Sequence, residues 1–184
     1  MNTYDVTLTQ RARAFAWGAH SGIGQMRKYS GQPYAVHCAD VVRIMLEYAE
    51  NPITNEQIAA AWLHDVVEDT QVSLDTISLE FGSAVAEMVS DLTDVSRPSD
   101  GNRRVRKNID LEHSAQASAA SQTVKLADLI SNAPSITELD PGFAYVWLRE
   151  KAALLDVLVR GDPGLMAQAR RVLADCQGLL TQKG

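Results

Sequence analysis

The sequence has few of the features that mark secreted or membrane proteins. Its two cysteines, Cys38 and Cys176, give neither a disulfide framework nor a CxxC metal motif. No apolar run approaches the roughly 18 residues that a membrane-spanning helix needs. The N-terminal stretch MNTYDVTLTQRARAF lacks the apolar core of a signal peptide. We therefore expect a protein of the reducing cytoplasm that has no membrane partner.

Positive charge is also scarce. The 17 lysines and arginines are outnumbered by 23 aspartates and glutamates, which gives a net charge of −6. A surface that binds nucleic acid broadly needs a basic face, so no nucleic-acid partner is expected. Two local basic clusters stand out. The first is Arg27–Lys28 in a glycine-punctuated loop, and the second is Arg103, Arg104, Arg106 and Lys107, which we interpret as a solvated helix face.

Patterns typical of strands are absent, and apolar residues recur at helical spacing almost throughout the chain. The 184 residues, 46% of them hydrophobic, are enough for one domain with a substantial core. Helices are predicted at about 8–20, 34–48, 54–69 and 73–81, and another follows residue 82 and ends near 94. Two more are predicted at about 102–113 and 117–133. The last two begin at Asp140–Pro141 and Asp162–Pro163, and the final helix reaches about 178. The expected fold is an all-α bundle of about eight to nine helices in a single domain, residues 1–184.

The segment AAWLHDVVEDT (60–70) places acids at the end of an apolar helix. At about 100° per residue from His64, Glu68 lies at about 40° and Asp69 at about 140°. Asp65 lies between them at about 100°, so the four side chains share one face. An exposed polar face is one interpretation, but the preceding turns are apolar all round, which indicates a central helix whose acids reach a cleft. Neighbouring carboxylates repel each other and face the negative end of the helix dipole, and a bound cation removes both problems, so the segment predicts a metal site.

A metal site needs further ligands from elsewhere in the chain. The remaining histidines are His20, His37 and His113. Their spacing does not choose among them, and an isolated histidine is more often structural than a ligand. Asp128 stands in the apolar stretch TVKLADLISNAPSI with Asn132 one turn later on the same face, which indicates a second acidic contribution. An outward polar stripe that includes Lys125 is the alternative for this stretch.

Four motifs together resemble one known family. In chain order they are RKYSGQPYAVH, AAWLHDVVEDT, FGSAVAEMVSDLTDV and VKLADLISN. The motifs are similar in order and spacing to the hydrolase domain of RelA/SpoT homologues, within the HD-domain metal-dependent phosphohydrolases, over roughly residues 10–160. This resemblance implies a stand-alone small alarmone hydrolase with a single HD-type phosphohydrolase domain. The implied reaction removes the 3′-pyrophosphate from guanosine tetra- and pentaphosphate (ppGpp and pppGpp), giving GDP or GTP and pyrophosphate.

The same resemblance implies a role for each matching residue. One Mn²⁺ per chain would be held by four ligands, His37, His64, Asp65 and Asp128. Glu68 and Asp69 match the acidic pair that positions and activates water. The nucleotide would be bordered by Arg27 and Lys28 and contacted by Asn132 and Ser135. The implied partner is thus a small-molecule nucleotide, and the sequence makes no prediction of the oligomeric state.

Some positions depart from the family pattern. Cys38 replaces a proline that often follows the first histidine, and Leu129 and Ala133 replace basic residues that many relatives carry. These differences bear on the substrate, so another nucleotide such as ppApp or NADPH stays open as an alternative. A catalytically inactive alarmone-binding module is the other alternative. It predicts the loss of metal ligands or of the acidic pair, all of which are present.

Overall fold

The described part of the chain is helical. The computed structural model describes residues 6–183, with the side chains of 7–182, and in that range it has ten α-helices, one short 3₁₀ helix and no strand. The α-helices are α1 (Val6–Gly22), α2 (Ala35–Tyr48), α3 (Asn55–Leu63), α4 (Val66–Asp69), α5 (Leu74–Phe81), α6 (Ser83–Leu92), α7 (Arg103–Gln116), α8 (Ala119–Leu139), α9 (Pro141–Val157) and α10 (Pro163–Lys183). The predicted all-α class is confirmed, and nine helices result when α3 and α4 are taken as the single helix that the sequence predicts.

The structure bears only in part on the expectations that the chain has no signal peptide and no membrane-spanning helix. The first five residues of the N-terminal stretch, where no signal peptide is predicted, lie outside the described residues. Within the described part of the chain, no helix combines the length and apolarity needed to cross a membrane. Cys38 and Cys176 are both buried and unpaired.

Helix α3 is the central element that the sequence predicts. A capping box fixes its start, since the Thr54 hydroxyl accepts from the Gln57 backbone N–H at 3.2 Å and the Gln57 side chain accepts from the Thr54 N–H at 2.9 Å. Every residue from Gln57 to Leu63 is buried. The helix packs against α1, α2, α6 and α8, and this packing places its carboxyl end in the middle of the molecule.

Helix α8 is longer than predicted. It runs to Leu139 instead of ending near 133, and it contains Pro134 in its interior. Proline has no N–H, so the carbonyl of Ile130, four residues earlier, loses its helical donor. Packing against α2, α6, α9 and α10 supports the helix on both sides of this point, which local sequence rules do not anticipate.

Asp162 ties the start of α10 to the connection between α2 and α3. Its carboxylate accepts hydrogen bonds from the backbone N–H groups of Glu50 and Asn51 at 3.0 and 2.9 Å, and from Leu165 N–H at 3.1 Å. A Cβ atom at Gly164 would clash with the carbonyl oxygen of Tyr48, so glycine is required for this close approach. Asp162, at the predicted Asp-Pro start of α10, therefore also holds this helix against the connection between α2 and α3.

Candidate metal centre

Three separate helical segments bring the four predicted ligands together. His37 Nε2, on α2, lies 3.1 Å from Asp128 Oδ1 of α8 and 3.7 Å from Asp65 Oδ2. His64 Nε2 lies 2.9 Å from Asp65 Oδ2 and 3.8 Å from Asp128 Oδ1. The ligand atoms of His37, His64 and Asp65 all lie within 4.8 Å of one another. We refer to these four side chains as the metal centre.

The helix breaks where two of these residues follow each other. Asp65 has φ −101° and ψ −3°, and it separates α3 from the short helix α4. In an uninterrupted helix, consecutive side chains point about 100° apart. The break allows His64 and Asp65 to face one point, a geometry that a helical wheel drawn through the whole segment does not give.

Hydrogen bonds on the far side of each imidazole fix its tautomer. His64 Nδ1 lies 2.8 Å from the carbonyl oxygen of Ala61, which can only accept, so Nδ1 carries the proton. His37 Nδ1 lies 3.0 Å from Ser131 Oγ, and that hydroxyl donates to Asp40 Oδ2 at 2.7 Å. Because the hydroxyl proton is directed at Asp40, His37 Nδ1 must donate to Ser131. In the neutral form of each ring, the Nε2 lone pair therefore faces the metal centre, as in metal-binding histidines.

The residues of the metal centre fit a divalent cation. The Nε2 atoms of His37 and His64, like that of His20, are buried and make no hydrogen bond of good geometry in the described structure, although a carboxylate oxygen lies 3.1 Å from the first and 2.9 Å from the second. Burial lowers the pKa of His64, but the neighbouring Asp65 carboxylate outweighs burial and raises that pKa to about 9. The site thus stabilises positive charge in a buried place. Two imidazole nitrogens and two carboxylate oxygens form a mixed set that suits divalent transition metals.

The acidic pair lies on α4, one turn after His64 and Asp65, and both side chains are partly exposed. Glu68 Oε2 accepts from the Asp94 backbone N–H at 3.2 Å, and partial burial together with the charge of Asp94 raises the Glu68 pKa. Asp69 Oδ2 accepts from Gln25 Nε2 at 2.8 Å, and partial burial raises its pKa despite this bond. Raised pKa values bring both carboxyl groups nearer to the range of a general base.

The other two histidines lie away from the metal centre. His20 Nδ1 lies 2.7 Å from Gln25 Oε1, so His20 supports the glutamine that holds Asp69. His113 Nε2 lies 3.1 Å from the carbonyl oxygen of Ser90, on α6. Sequence spacing alone did not exclude these two histidines as metal ligands. In the structure, His20 contacts Gln25 and His113 contacts the backbone of α6.

Sequence reasoning missed two side chains that contact the site. Gln25 reaches Asp69, and the Tyr34 hydroxyl donates to Asp65 Oδ2 at 2.6 Å. Burial and the adjacent Asp65 raise the pKa of Tyr34, which keeps it protonated as a donor. Tyr34 stands in the motif RKYSGQPYAVH, but no pattern in that motif signals the contact.

A first cavity opens on one side of the metal centre, with a volume of about 470 Å³. We call it the α2-side cavity, and its lining includes Arg27, Lys28, Tyr34, His37, Asn132 and Ser135. Lys28 Nζ pairs with Asp140 Oδ2 at 3.1 Å, whereas no partner of the Arg27 guanidinium is found among the described residues. The two predicted basic residues thus differ, since Lys28 anchors the loop and Arg27 is available.

The polar residues of α8 in the α2-side cavity are linked to the metal centre. Asn132 Nδ2 donates to Asp128 Oδ1 at 2.7 Å. The Ser135 hydroxyl donates to the backbone oxygen of Asn132 at 3.1 Å. The departures at Leu129 and Ala133 lie in the core, with 1% and 0% of their surface exposed, and neither residue lines a cavity at the centre.

A second cavity, of about 330 Å³, lies on the other side of the metal centre. We call it the α9-side cavity, and its lining includes Glu68, Asp94, Arg103, Lys107, Lys125, Asp128, Trp147, Glu150 and Lys151. Arg103 and Lys107 belong to the basic cluster that the sequence suggested was a solvated face. Arg104 is exposed as expected, but Lys107 is half-buried and lines the cavity.

Comparisons with known proteins find relatives that align with most of this chain. The HD domain family matches residues 12–142. The mouse protein named guanosine-3′,5′-bis(diphosphate) 3′-pyrophosphohydrolase MESH1 is 32% identical over 167 residues, which cover 89% of this chain and 90% of the mouse protein. The human protein of the same name is 31% identical over 156 residues, covering 84% and 83% of the two chains.

Solved structures show the same fold. A structure described as a metazoan ortholog of SpoT that hydrolyses ppGpp has a TM-score of 0.83 and 24% identity, and covers 97% of this chain and 99% of the other. The Listeria monocytogenes protein lmo0812 has a TM-score of 0.61 and 20% identity, covering 80% and 99% of the two chains. The first of these two matches covers nearly the whole chain and therefore includes the helices that carry the metal centre.

Proposed function

The chain belongs to the HD domain family, and we propose that it is a metal-dependent hydrolase that converts guanosine 3′,5′-bis(diphosphate) to GDP and pyrophosphate. The convergence of four metal-ligand side chains beside Glu68 and Asp69 carries this proposal. Relatives that are named for this reaction align over most of the chain. The inactive-module alternative is disfavoured because the ligand set and the acidic pair are present together in one cleft.

The proposed cofactor is one Mn²⁺ per chain, held by His37, His64, Asp65 and Asp128. The fixed tautomers of His37 and His64 support this assignment, as do their Nε2 atoms, which lie beside carboxylate oxygens without a hydrogen bond of good geometry. When bound, such an ion supplies Lewis-acid chemistry, neutralising charge on phosphate oxygens and making water more acidic. The donor set supports a divalent metal, and the choice of manganese rests on the family resemblance.

The side chains of the cleft would perform the remaining steps. Water adds to the phosphorus attached to O3′, and the P–O3′ bond breaks. Glu68, whose pKa is raised, accepts a proton from this water, and the proton ends on the 3′-hydroxyl of GDP. Asp69, held by Gln25, orients the water. Arg27 offers an unpaired guanidinium to a substrate phosphate, while Asn132 and Ser135 line the same cavity for the nucleoside.

We also propose that residues 1–184 form one HD-type domain that acts in the cytoplasm. The buried apolar residues of the described helices form one cluster to which every α-helix except α7 contributes, and the partly buried Leu111 of α7 packs against that cluster. The two cysteines are unpaired, as is usual in a reducing compartment.

Product analysis tests the proposed function directly. Purified protein is incubated with ppGpp, pppGpp, ppApp or NADPH, each with and without Mn²⁺, and products are separated by ion-exchange chromatography. We expect ppGpp to give GDP and pyrophosphate in one step, with no orthophosphate, only when metal is present. GTP and GDP, which have no 3′-phosphate, should be inert. Orthophosphate as the main product, or equal activity on GTP, would contradict the proposal.

A further inference from the structure

The α9-side cavity borders the metal centre but has no role in the function as described so far. Its lining contains Asp128 of the metal centre and Glu68 of the acidic pair. It also collects four basic side chains from three helices: Arg103 and Lys107 of α7, Lys125 of α8 and Lys151 of α9. The same lining holds five carboxylates, those of Glu68, Asp94, Asp110, Asp128 and Glu150, so an anionic ligand is indicated only where one of the four cations has no carboxylate partner.

Three of these cations are already paired with protein groups. Arg103 forms two hydrogen bonds with the Glu150 carboxylate, at 2.8 and 2.7 Å. Lys107 Nζ lies 2.6 Å from Asp94 Oδ2, and Lys125 Nζ donates to the backbone oxygen of Leu92 at 2.8 Å. Lys125 Nζ also lies 3.8 Å from Asp94 Oδ1, so each of these three cations has a protein carboxylate beside it.

Lys151 differs from the other three. It is half-buried, and its Nζ has no hydrogen bond or ion pair within the described chain. Its recorded contact is with the ring of Trp147, whose centroid lies 5.4 Å away. Burial lowers the pKa of Lys151, although the Asp128 carboxylate opposes this effect. A partly buried ammonium with no anionic partner is costly, and an anionic ligand would remove that cost.

The two cavities lie on either side of the metal centre. The α2-side cavity contains His37 and Asn132, and the α9-side cavity contains Asp128 and Glu68. A nucleotide with a 3′-diphosphate can place its nucleoside in one cavity and the end of the diphosphate in the other, with the reacting phosphorus between them. We propose that Lys151 binds the 3′-diphosphate of the substrate and the pyrophosphate formed from it, and so acts as a specificity-determining residue. This inference rests on the proposed function.

Calorimetric titration of inorganic pyrophosphate into the Mn²⁺-loaded protein tests Lys151 without turnover. Lys151→Met keeps the aliphatic stem against Trp147 but removes the charge, and should weaken pyrophosphate binding roughly tenfold, the loss of one charge-assisted hydrogen bond. Lys151→Arg should retain most of the affinity. Arg149→Met, an exposed change on the same helix, serves as the control and should bind pyrophosphate as the wild type does.

Inhibition by each of the two products shows whether Lys151 affects the binding of pyrophosphate, of GDP or of both. In Lys151→Met, the inhibition constant for pyrophosphate and the KM for ppGpp should both rise about tenfold, whereas inhibition by GDP stays unchanged. A wild-type affinity for pyrophosphate in this variant would overturn the proposal. If thermal melting shows that Lys151→Met is unfolded, Lys151→Gln takes its place in the same comparison.

The failure of this inference is distinguishable from the failure of the proposed function. Wild-type protein that cleaves ppGpp, together with unchanged pyrophosphate binding in Lys151→Met, contradicts only the role of Lys151. Wild-type protein that does not cleave ppGpp contradicts the proposed function. In that case, pyrophosphate binding that still depends on Lys151 supports an anion site for another substrate.

Discussion

The imidazole of His37 is oriented by a short chain of hydrogen bonds that ends at Asp40. His37 and Asp40 lie on α2, but the hydroxyl that connects them belongs to Ser131 on α8. Outer hydrogen bonds of this kind hold the ring in place and make its free nitrogen a better ligand. The metal affinity should therefore depend on a residue that does not touch the metal.

Ser131→Ala tests this dependence. We expect the affinity for Mn²⁺ to fall about 10- to 100-fold, the usual effect of losing such an outer partner, as measured by metal titration of the apo protein. Ser135→Ala is the matched control, since that hydroxyl donates only to a backbone oxygen of its own helix. Wild-type metal affinity in Ser131→Ala would show that the chain of hydrogen bonds is not needed.

Substitution of Glu68 should reduce turnover without reducing metal binding, unlike substitution of a metal ligand. Glu68→Gln removes the base but keeps the shape of the side chain, so kcat should fall by at least about 100-fold, a typical contribution of general-base catalysis. Metal content, measured by atomic emission, should remain at one ion per chain. Glu87→Gln, an exposed change on α6, should leave both quantities unchanged. Loss of metal from Glu68→Gln would instead make Glu68 a ligand.

The sequence indicated which residues form the candidate site but not how they contact one another. The acids after His64 were predicted to form a metal site from the conflict between a buried helix and three charges. The choice of His37 over His20 required the family resemblance, because spacing gives no distances in space. Gln25 was missed, since its contact with Asp69 spans 44 residues and leaves no local pattern.

Helix starts were predictable because capping is local. Thr54 and Ser73 accept from backbone N–H groups three residues later, as their sequence context indicates. The break at Asp65 and the continuation of α8 through Pro134 were not predictable. Both depend on packing against other helices, which overrides local preference.

Asp162 provides a test of how the last helix is attached. Burial raises the pKa of Asp162, but the backbone N–H groups of Asn51, Glu50 and Leu165 outweigh it and lower that pKa. Asp162→Asn should reduce the free energy of unfolding at pH 7 by about 1–3 kcal/mol, since hydrogen bonds to a charged acceptor are lost. Urea denaturation measures this difference, and Asp156→Asn, an exposed change, should alter it by less than about 0.5 kcal/mol.

The effect of Asp162 should also depend on pH in a defined direction. A carboxyl group whose pKa is lower in the folded state stabilises that state above the pKa of the unfolded chain, and loses this effect as the pH falls through the folded pKa. The difference between wild type and Asp162→Asn should therefore be largest near neutral pH and shrink in acid. A difference that grows on acidification would contradict the assignment.

Metal binding should stabilise the whole molecule, because the ligands come from α2, the α3–α4 junction and α8 and converge only in the folded state. A ligand present at 100 times its dissociation constant adds about 2.7 kcal/mol to the free energy of unfolding. We expect Mn²⁺ to raise the melting temperature and a chelator to lower it again, as followed by circular dichroism. Asp65→Asn should melt at the same temperature with and without metal, and a metal-dependent shift in that variant would argue against Asp65 as a ligand.

The α9-side cavity shows why the interpretation of a linear cluster of charge was incomplete, since Arg103 and Arg104 are exposed as predicted but Lys107 is half-buried. The run from Arg103 to Lys107 was taken as a solvated face because charges in a row usually are. Lys107, Lys125 and Lys151 belong to three different helices, and they lie around one cavity only in the folded chain. No spacing rule connects residues that far apart in sequence.

Helix α8 borders both cavities, and this has a consequence for the energetics of two ligands bound at once. Lys125 and Asp128 line one cavity, Ser131 and Asn132 line the other, and Asn132 donates directly to Asp128. Coupling between two ligands is reciprocal, so whatever factor GDP imposes on the affinity for pyrophosphate, pyrophosphate imposes on the affinity for GDP. One coupling free energy therefore sets how strongly each product retains the other.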